Sequence, residues 1–269
     1  MTPGRIVCVA VLTAVLASVT GAGAQPPTLD CLIYPYVLVA VGSPVEGLLD
    51  KVTVDRGDAV TAGQVIATLE SSIERATVAL AAARAAVESG LKSSQVRLDF
   101  GVRRFVRTED MYRKDLVPLK EMDEAETGKI LAEIGVLEAQ ENRKIAETDL
   151  ERARAALALR TIRSPVTGVV TERLLAPGEF AKQTPIVKIA QVHPLRVEVI
   201  APVALLGRIT LGMRAEVLPE APVGGVHAAK VSVVDRVVDA ASGTFGVRLD
   251  LPNPDYTLPA GLKCRVRFR

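Results

Sequence analysis

The chain of 269 residues has no Trp, and aromatic side chains make up only 3% of it. Little material is left for stacking bases or sugars. Two His and three Cys are too few soft ligands for a Cys/His zinc module. His193 and His227 stand apart from any acidic or Cys partner at ligand spacing. A formal net charge of +2 lacks the basic footprint of a dedicated nucleic-acid binder. No nucleophile elbow, phosphate loop or HExxH stretch is present, and catalysis has no recognisable constellation. Past the N-terminus, no apolar run reaches the ~20 residues that span a bilayer. At 49% hydrophobic and 24% charged, the composition is that of a globular protein rather than a disordered one. The length suits one to three domains.

Residues 1–24 read as an export signal. Arg5 supplies a positive start, an apolar run follows from Ile6 to Val19, and Ala22-Gly23-Ala24 forms a small-x-small cleavage site before Gln25. Cys8 falls inside the apolar run and is lost on cleavage. Cys31 follows Thr28-Leu29-Asp30, which lacks the small residues of a lipoprotein processing site. The expected location of the mature chain is an oxidising compartment.

The most informative feature is a repeat offset by 121 residues. Ser43-Pro44-Val45-Glu46-Gly47 leads through Arg56-Gly57-Asp58 to Val65-Ile66. Ser164-Pro165-Val166-Thr167-Gly168 leads through Pro177-Gly178-Glu179 to Ile186-Val187. Short apolar runs between Gly and Pro breaks predict hairpin strands. Gly47 and Gly168 are expected at sharp turns with positive φ, and Gly57 and Gly178, each before an acid, at further turns. Neither half of about thirty residues can bury a core alone, so the two are expected to pack on each other as a pseudo-symmetric β-sandwich. The pattern resembles the biotinyl/lipoyl fold. Asp50-Lys51 lies one strand too early for the modified Lys of a true carrier. Lys51 is read as a solvent-facing strand residue, and no cofactor is expected.

Between the halves, residues 71–160 are rich in Ala, Glu, Arg and Leu and lack Pro except at Pro118. This predicts an antiparallel helical coiled-coil hairpin with its break near Leu116-Val117-Pro118. Ile73, Leu80 and Val87 recur every seven residues, as do Leu91, Leu98, Phe105 and Tyr112 after a shift of four. That shift reads as a stutter within a continuous helix. On the return arm Ile130 with Leu137, and Leu150 with Leu157, mark the seam, weakened where Glu141 and Lys144 intrude. Arms of about 40 residues would reach ~60 Å. Gly90, Gly101, Gly128 and Gly135 are sites of close helix approach or of bends. Residues 193–269 alternate short apolar strands with Gly/Pro turns, as a small antiparallel β-barrel would, with a short helix within Pro202–Ile209.

The predicted fold is therefore mixed β and α, with segments at 1–24 (signal), 25–70 (N-terminal strand and first lipoyl half), 71–160 (hairpin), 161–192 (second lipoyl half) and 193–269 (barrel). This order resembles the periplasmic adaptor subunits, or HlyD-like membrane fusion proteins, of resistance-nodulation-division efflux pumps. Val233-Val234-Asp235-Arg236-Val237-Val238-Asp239 through Ser242-Gly243-Thr244-Phe245 looks like the barrel signature of that family. So does Asn253-Pro254 followed by Leu258-Pro259-Ala260-Gly261. The resemblance implies a non-enzymatic adaptor between an inner-membrane transporter and a TolC-type outer-membrane channel, assembled as a ring. An adaptor of an ATP-driven exporter, a metal-efflux adaptor and an acyl or biotin carrier are the rival readings. The family's tip pattern of Arg, Leu four residues on and Ser seven further falls here on Arg107, Met111 and Pro118, with Glu121 to Ala125 after it. Pro118 departs from the pattern by lacking a hydroxyl. The resemblance also leaves little chain for a membrane-proximal domain, so transporter contact is expected at the barrel. Cys31 and Cys264 are a candidate disulfide, close in space if the N-terminal strand joins the barrel.

Overall fold

The computed structural model describes Thr2 and residues 28–269. The expected signal segment and Cys8 lie outside the described residues. The chain forms two compact units, one of Tyr34–Arg196 with Pro252–Gly261, the other of residues 28–33 with Val197–Leu251 and Leu262–Arg269.

In the first unit, the repeat folds as short strands on either side of a helical insert. The leading half gives β1 (Thr28–Val41, which begins in the other unit), β2 (Gly47–Val52), β3 (Ala59–Val60) and β4 (Val65–Leu69). The trailing half gives β5 (Thr161–Arg163), β6 (Gly168–Arg173), β7 (Phe180–Ala181) and β8 (Val187–Pro202). Each sheet mixes the halves. One runs β5-β4-β2-β7, and in the other β3 pairs with β6, which pairs with β8. The backbone bonds repeat at the same 121-residue offset as the sequence. Gly57 N–H donates to Val170 O at 2.8 Å, and Gly178 N–H to Leu49 O at 2.8 Å. Val170 N–H donates to Asp58 O, and Leu49 N–H to Glu179 O, both at 2.9 Å. Side chains follow the same dyad: Asp58 accepts from Asp55 N–H as Glu179 does from Ala176 N–H. Leu49, Val60 and Ile66 share one core with their mates Val170, Ala181 and Val187.

Two glycine expectations separate here. Gly57 and Gly178 take φ of 95° and 88° at turns. Gly47 and Gly168 are not among the positive-φ residues, and the reading of a sharp left-handed turn is corrected: these two are glycine for room. A Cβ on Gly168 would lie 2.8 Å from the backbone carbon of Ala190, and one on Gly47 would lie 2.6 Å from Arg160 Nη1. Lys51 is exposed on β2, opposite Thr68 of β4.

The insert forms α1 (Ser72–Ala85), α2 (Ser89–Tyr112) and α3 (Leu119–Ala158). The leading arm is two helices, not one with a stutter. Val87 N–H turns back to Arg84 O at 3.2 Å, and α2 restarts behind Glu88, whose carboxylate pairs with Lys92 at 2.8 Å. Val87, Ser89 and Gly90 are all weak helix formers, so breaking the helix there costs less than unwinding it, and the four-residue phase shift is absorbed in the gap. The Lys92 ammonium holds the Glu88 carboxyl below its ordinary value, first through their hydrogen bond and then through its charge.

The second unit carries β9 (Arg214–Pro219), β10 (His227–Val234), β11 (Thr244–Leu251) and β12 (Lys263–Phe268). The strand order is β1-β12-β9-β10-β11-β8, and a further pairing of β1 with β8 closes it into a barrel. Burial alternates along the strands, with Phe245, Val247, Leu249 and Leu251 of β11 turned inward. The expected short helix is a single 3-10 turn, Val203–Leu205. Cys31 of β1 lies directly opposite Cys264 of β12, and the two are joined by a disulfide with both sulfurs buried. Asn253, from the Asn-Pro signature, belongs to the first unit and is buried there. Its amide donates to Val192 O and Leu258 O and accepts from Leu258 N–H. Its N–H donates to His193 Nδ1 at 3.0 Å, which gives that isolated histidine a structural task.

Two stability predictions follow from this packing. Gly168→Ala drives a methyl into the Ala190 peptide and lowers stability by roughly 1–3 kcal/mol, read as a shifted denaturant midpoint with unchanged slope. Cys31→Ser with Cys264→Ser opens a cross-link spanning 233 residues and costs roughly 2–5 kcal/mol. Reductant should then shift the midpoint of the parent protein but not that of the double variant.

Candidate functional site

The helical insert is the element that the sandwich most evidently presents, and its root is built from three residues. Leu69 N–H donates to Arg160 O at 2.8 Å, which holds the two ends of the insert side by side. Arg160 Nη1 donates to Glu46 O at 3.0 Å, and Nη2 pairs with Glu74 Oε1 at 2.6 Å, with both side chains mostly shielded from solvent. The guanidinium occupies the space that Gly47 leaves free. One side chain thus fastens α1 to the end of α3 and both to β2. Beside it, the hydroxyl and N–H of Ser72 bind the Glu70 carboxyl and keep it below its ordinary value.

Along the arms, the seam differs from the large-residue heptad. Ile73 and Leu80 are 73% and 53% exposed, and Val87, in the gap between α1 and α2, is exposed as well. The residues of α1 turned inward are Glu74, Val78, Ala81, Ala82 and Ala85. On α2 the expected phase is right: Leu91, Leu98 and Phe105 are partly buried, with Ser94 and Gly101 between them and Thr108 one turn beyond, while Tyr112 at the helix end is exposed. On α3, Leu150 and Leu157 face the seam, but Ile130 and Leu137 do not. An alanine recurs there every seventh residue, at Ala125, Ala132, Ala139, Ala146 and Ala153, and Ala125 and Ala153 are the buried residues of α3. Small residues let the helices approach closely, so a Cβ on Gly101 would sit 3.4 Å from Lys129 Cα. Gly90, Gly128 and Gly135 meet no such neighbour. The cation at the seam is the half-buried Lys129, whereas Glu141, Arg143 and Lys144 are all exposed. The Lys129 ammonium lies 5.2 Å from the centre of the Phe105 ring, with its apolar stem left for packing. The alanine ladder was visible in the sequence, but a search for large apolar residues passes over it.

At the tip, α2 ends at Tyr112 and the chain turns through residues 113–118. Leu116 N–H donates to Met111 O at 3.0 Å, and Asp115 takes φ of 55°. Pro118, extended at ψ of 159°, caps α3, with Glu121 in the first helical turn where the helix dipole favours an acid. Arg107 and Met111 are exposed one turn apart on α2, and Pro118 is exposed across the turn. Arg107 makes no ion pair among the described residues, whereas Arg113 pairs with Glu109 and Lys114 with Asp110. Ala125, at the end of the Glu121–Ala125 stretch, is buried between the helices. The sequence reading missed Leu116 and Leu119, both exposed beside Pro118. Their signal was the apolar run across a helix break, where a turn alone would be polar.

This architecture has matches among known proteins. Residues 37–191 match the CzcB-like barrel-sandwich hybrid domain, and residues 195–269 the CusB-like beta-barrel domain. The chain belongs to the membrane fusion proteins of efflux pumps. It is 24% identical over 245 residues to the nickel and cobalt resistance protein CnrB of Cupriavidus metallidurans, covering 91% of this chain and 57% of that one. It is 26% identical over 249 residues to the macrolide export protein MacA of Yersinia pestis, covering 86% and 64%. The crystal structure of MacA from Actinobacillus actinomycetemcomitans shares its fold, with a TM-score of 0.75 at 20% identity, covering 91% of this chain and 79% of that one. The chain spans about half to two thirds of the length of the curated relatives it matches. Within this membrane fusion protein, the hairpin root and tip thus belong to the hybrid-domain match.

Removing the Arg160 guanidinium leaves Glu74 and the Glu46 carbonyl unpaired. Arg160→Ala should cost roughly 1.5–3 kcal/mol. Faster hydrogen exchange concentrated in α1 and the last turns of α3 would place that loss at the root. A uniform change across the chain would refute the clamp.

Proposed function

We propose that this chain is a non-enzymatic periplasmic adaptor that joins an inner-membrane efflux transporter to a TolC-type outer-membrane channel and so supports export across the envelope. The observation that carries this reading is a helical hairpin fixed at its root by a closed, cross-bonded sandwich and ending in solvent-exposed Arg107, Met111, Leu116 and Leu119. A tip of this kind has no bearing on its own core. Exposed apolar side chains beside an unpaired cation suit end-on contact with another protein. The names of CnrB and MacA, one a resistance protein and the other an export protein, support an export role here. Among the described residues, no helix is long and apolar enough to cross a membrane.

The same reading gives the flanks of the hairpin a partner. Leu131, Ile134 and Ile145 of α3 face solvent because the alanine ladder takes the seam. Side-by-side association of several copies into a ring would cover them. The cysteine pair then serves as a staple suited to an oxidising compartment, and the barrel is the expected contact for the transporter.

The test is a photo-reactive side chain at position 107 in one experiment and on the barrel in another, with the captured proteins identified. Capture of an outer-membrane channel at the tip, and of a transporter at the barrel, supports the adaptor reading. The transporter captured also separates proton-driven from ATP-driven export. Arg107→Asp should reduce channel capture and export while shifting stability by no more than about 0.5 kcal/mol, as for other exposed positions. Full export by this variant would remove Arg107 from the docking surface.

A further inference from the structure

Two loops at one end of the barrel unit expose aliphatic side chains in a way that the fold does not require. The first, residues 203–213, joins β8 to β9. The second, residues 235–243, joins β10 to β11. They are tied together by Val203 N–H donating to Gly243 O at 2.9 Å. In the first loop Ile209 is turned into the core as an anchor, while Leu206 and Leu211 are turned out, 47% and 73% exposed. Each of these leucines directly precedes a glycine in the left-handed region, Gly207 at φ of 81° and Gly212 at 82°. The backbone therefore bends just beyond each Leu, a place where a polar residue would serve the turn equally well. In the second loop Val237 is 81% exposed, the highest value among the large apolar residues of the described chain.

Cations surround these side chains. Arg208 and Arg236 lie in the loops, and Arg214 and Lys230 on the strands that flank them, with Lys230 passing beside Gly212. All four are exposed, and none makes an ion pair among the described residues. Arg269, close by, is already paired with Glu216. Of the two carboxylates in the second loop, Asp239 is held by the Ser242 hydroxyl at 2.7 Å and the Ala241 N–H at 3.0 Å. Those bonds keep its carboxyl below its ordinary value. Asp235 is the other.

We infer that this end of the barrel is a docking surface for an anionic phospholipid bilayer, with Leu206, Leu211 and Val237 entering the headgroup region and Arg208, Arg214, Arg236 and Lys230 meeting lipid phosphates. At the hairpin tip Arg113 and Lys114 are neutralised by Glu109 and Asp110, whereas here four cations without an ion pair among the described residues ring the aliphatics and call for a surface of many negative charges. These loops are turn tips bearing separate aliphatic side chains, and they carry no aromatic residue. Isolated aliphatics ringed by cations are the composition that an anionic membrane interface binds. The inference depends on the adaptor reading only in that a membrane must lie within reach of the chain.

The test is flotation of the full chain with vesicles of phosphatidylcholine plus phosphatidylglycerol, against phosphatidylcholine alone, at low and high salt. No transporter or channel is present, so failure here leaves the adaptor reading untouched. The parent chain should float with the anionic vesicles and less so as salt rises. Arg208→Gln with Arg236→Gln should lower partitioning about thirty-fold and reduce the preference for anionic lipid. Leu211→Ser with Val237→Ser should lower it by a similar factor without changing the salt dependence. Matching circular dichroism and melting curves will show that both variants keep the fold. No flotation of the parent chain, or equal flotation of the parent and both variants, overturns the inference. So does unchanged flotation of both variants together with loss of transporter capture in the photo-cross-linking experiment on the barrel, which would make the loops a protein contact.

Discussion

The reciprocal hydrogen bonds between Leu49 and Gly178–Glu179, and between Val170 and Gly57–Asp58, are the constraint on which the first unit depends. Each partner lies on a segment too short to bury a core of its own. Strands of two or three residues, such as β3, β5 and β7, owe their order to pairing across the halves. Closing this sandwich brings residues 69 and 160 together, since Leu69 and Arg160 share a backbone bond. The loop-closure cost of bringing together ends ninety residues apart grows only slowly with length, and the insert offsets much of it by ordering itself as helices. The hairpin is thus held at its root by the sandwich, and Arg160 carries that hold into α1 and α3.

The arms illustrate how a small choice of side chain sets what a rod can do. Alanine at every seventh position of α3 narrows the seam, so the helices gain close backbone approach rather than bulky interdigitation. The larger aliphatics are displaced to the outer faces. A hairpin built this way hides little apolar surface within itself. Its stability leans on helix propensity, on i,i+4 pairs such as Arg143 with Glu147, and on whatever packs against its flanks.

The sequence disclosed the split sandwich because Ser-Pro, Gly-Asp and Gly-Glu recur at a fixed offset, and turn chemistry is local. It misassigned Gly47 and Gly168 because a glycine needed for φ and one needed for space look alike until the neighbour is known. Here the neighbours are Arg160 and Ala190, each more than twenty residues away in the chain. The phase of the hairpin went wrong where large hydrophobics and small residues competed for the seam: Leu91, Leu98 and Phe105 coincide with it, while Ile73, Leu80, Ile130 and Leu137 do not. The helix break after Ala85 was legible as a shift of register, though not as a break. At the tip, Arg107 and Met111 were singled out through family resemblance, and the exposure of Leu116 and Leu119 beside them needed the turn to be seen. The pairing of Cys31 with Cys264 depends on strand order, which joins the first and last strands of the described chain and which no local pattern encodes.

Electrostatics show where this molecule concentrates its resources. Among the described residues, the carboxyls pulled below their ordinary values are Glu70, Glu88 and Asp239, and in each case the leading cause is a hydrogen bond from a near neighbour, Ser72, Lys92 or Ser242. These are cap and turn contacts that fix a helix start or a loop. The unusual groups in this chain are instead on the outside: Leu116 and Leu119 at a helix break, Leu131 and Ile145 on a helix flank, Leu211 and Val237 on barrel turns. Each costs solubility, and no internal packing offsets that cost. Three separate surfaces of this kind, one on the tip, one on the arms and one on the barrel loops, fit a protein whose work is done through simultaneous contacts. The closed sandwich and the stapled barrel then serve to hold each of those surfaces in a fixed form.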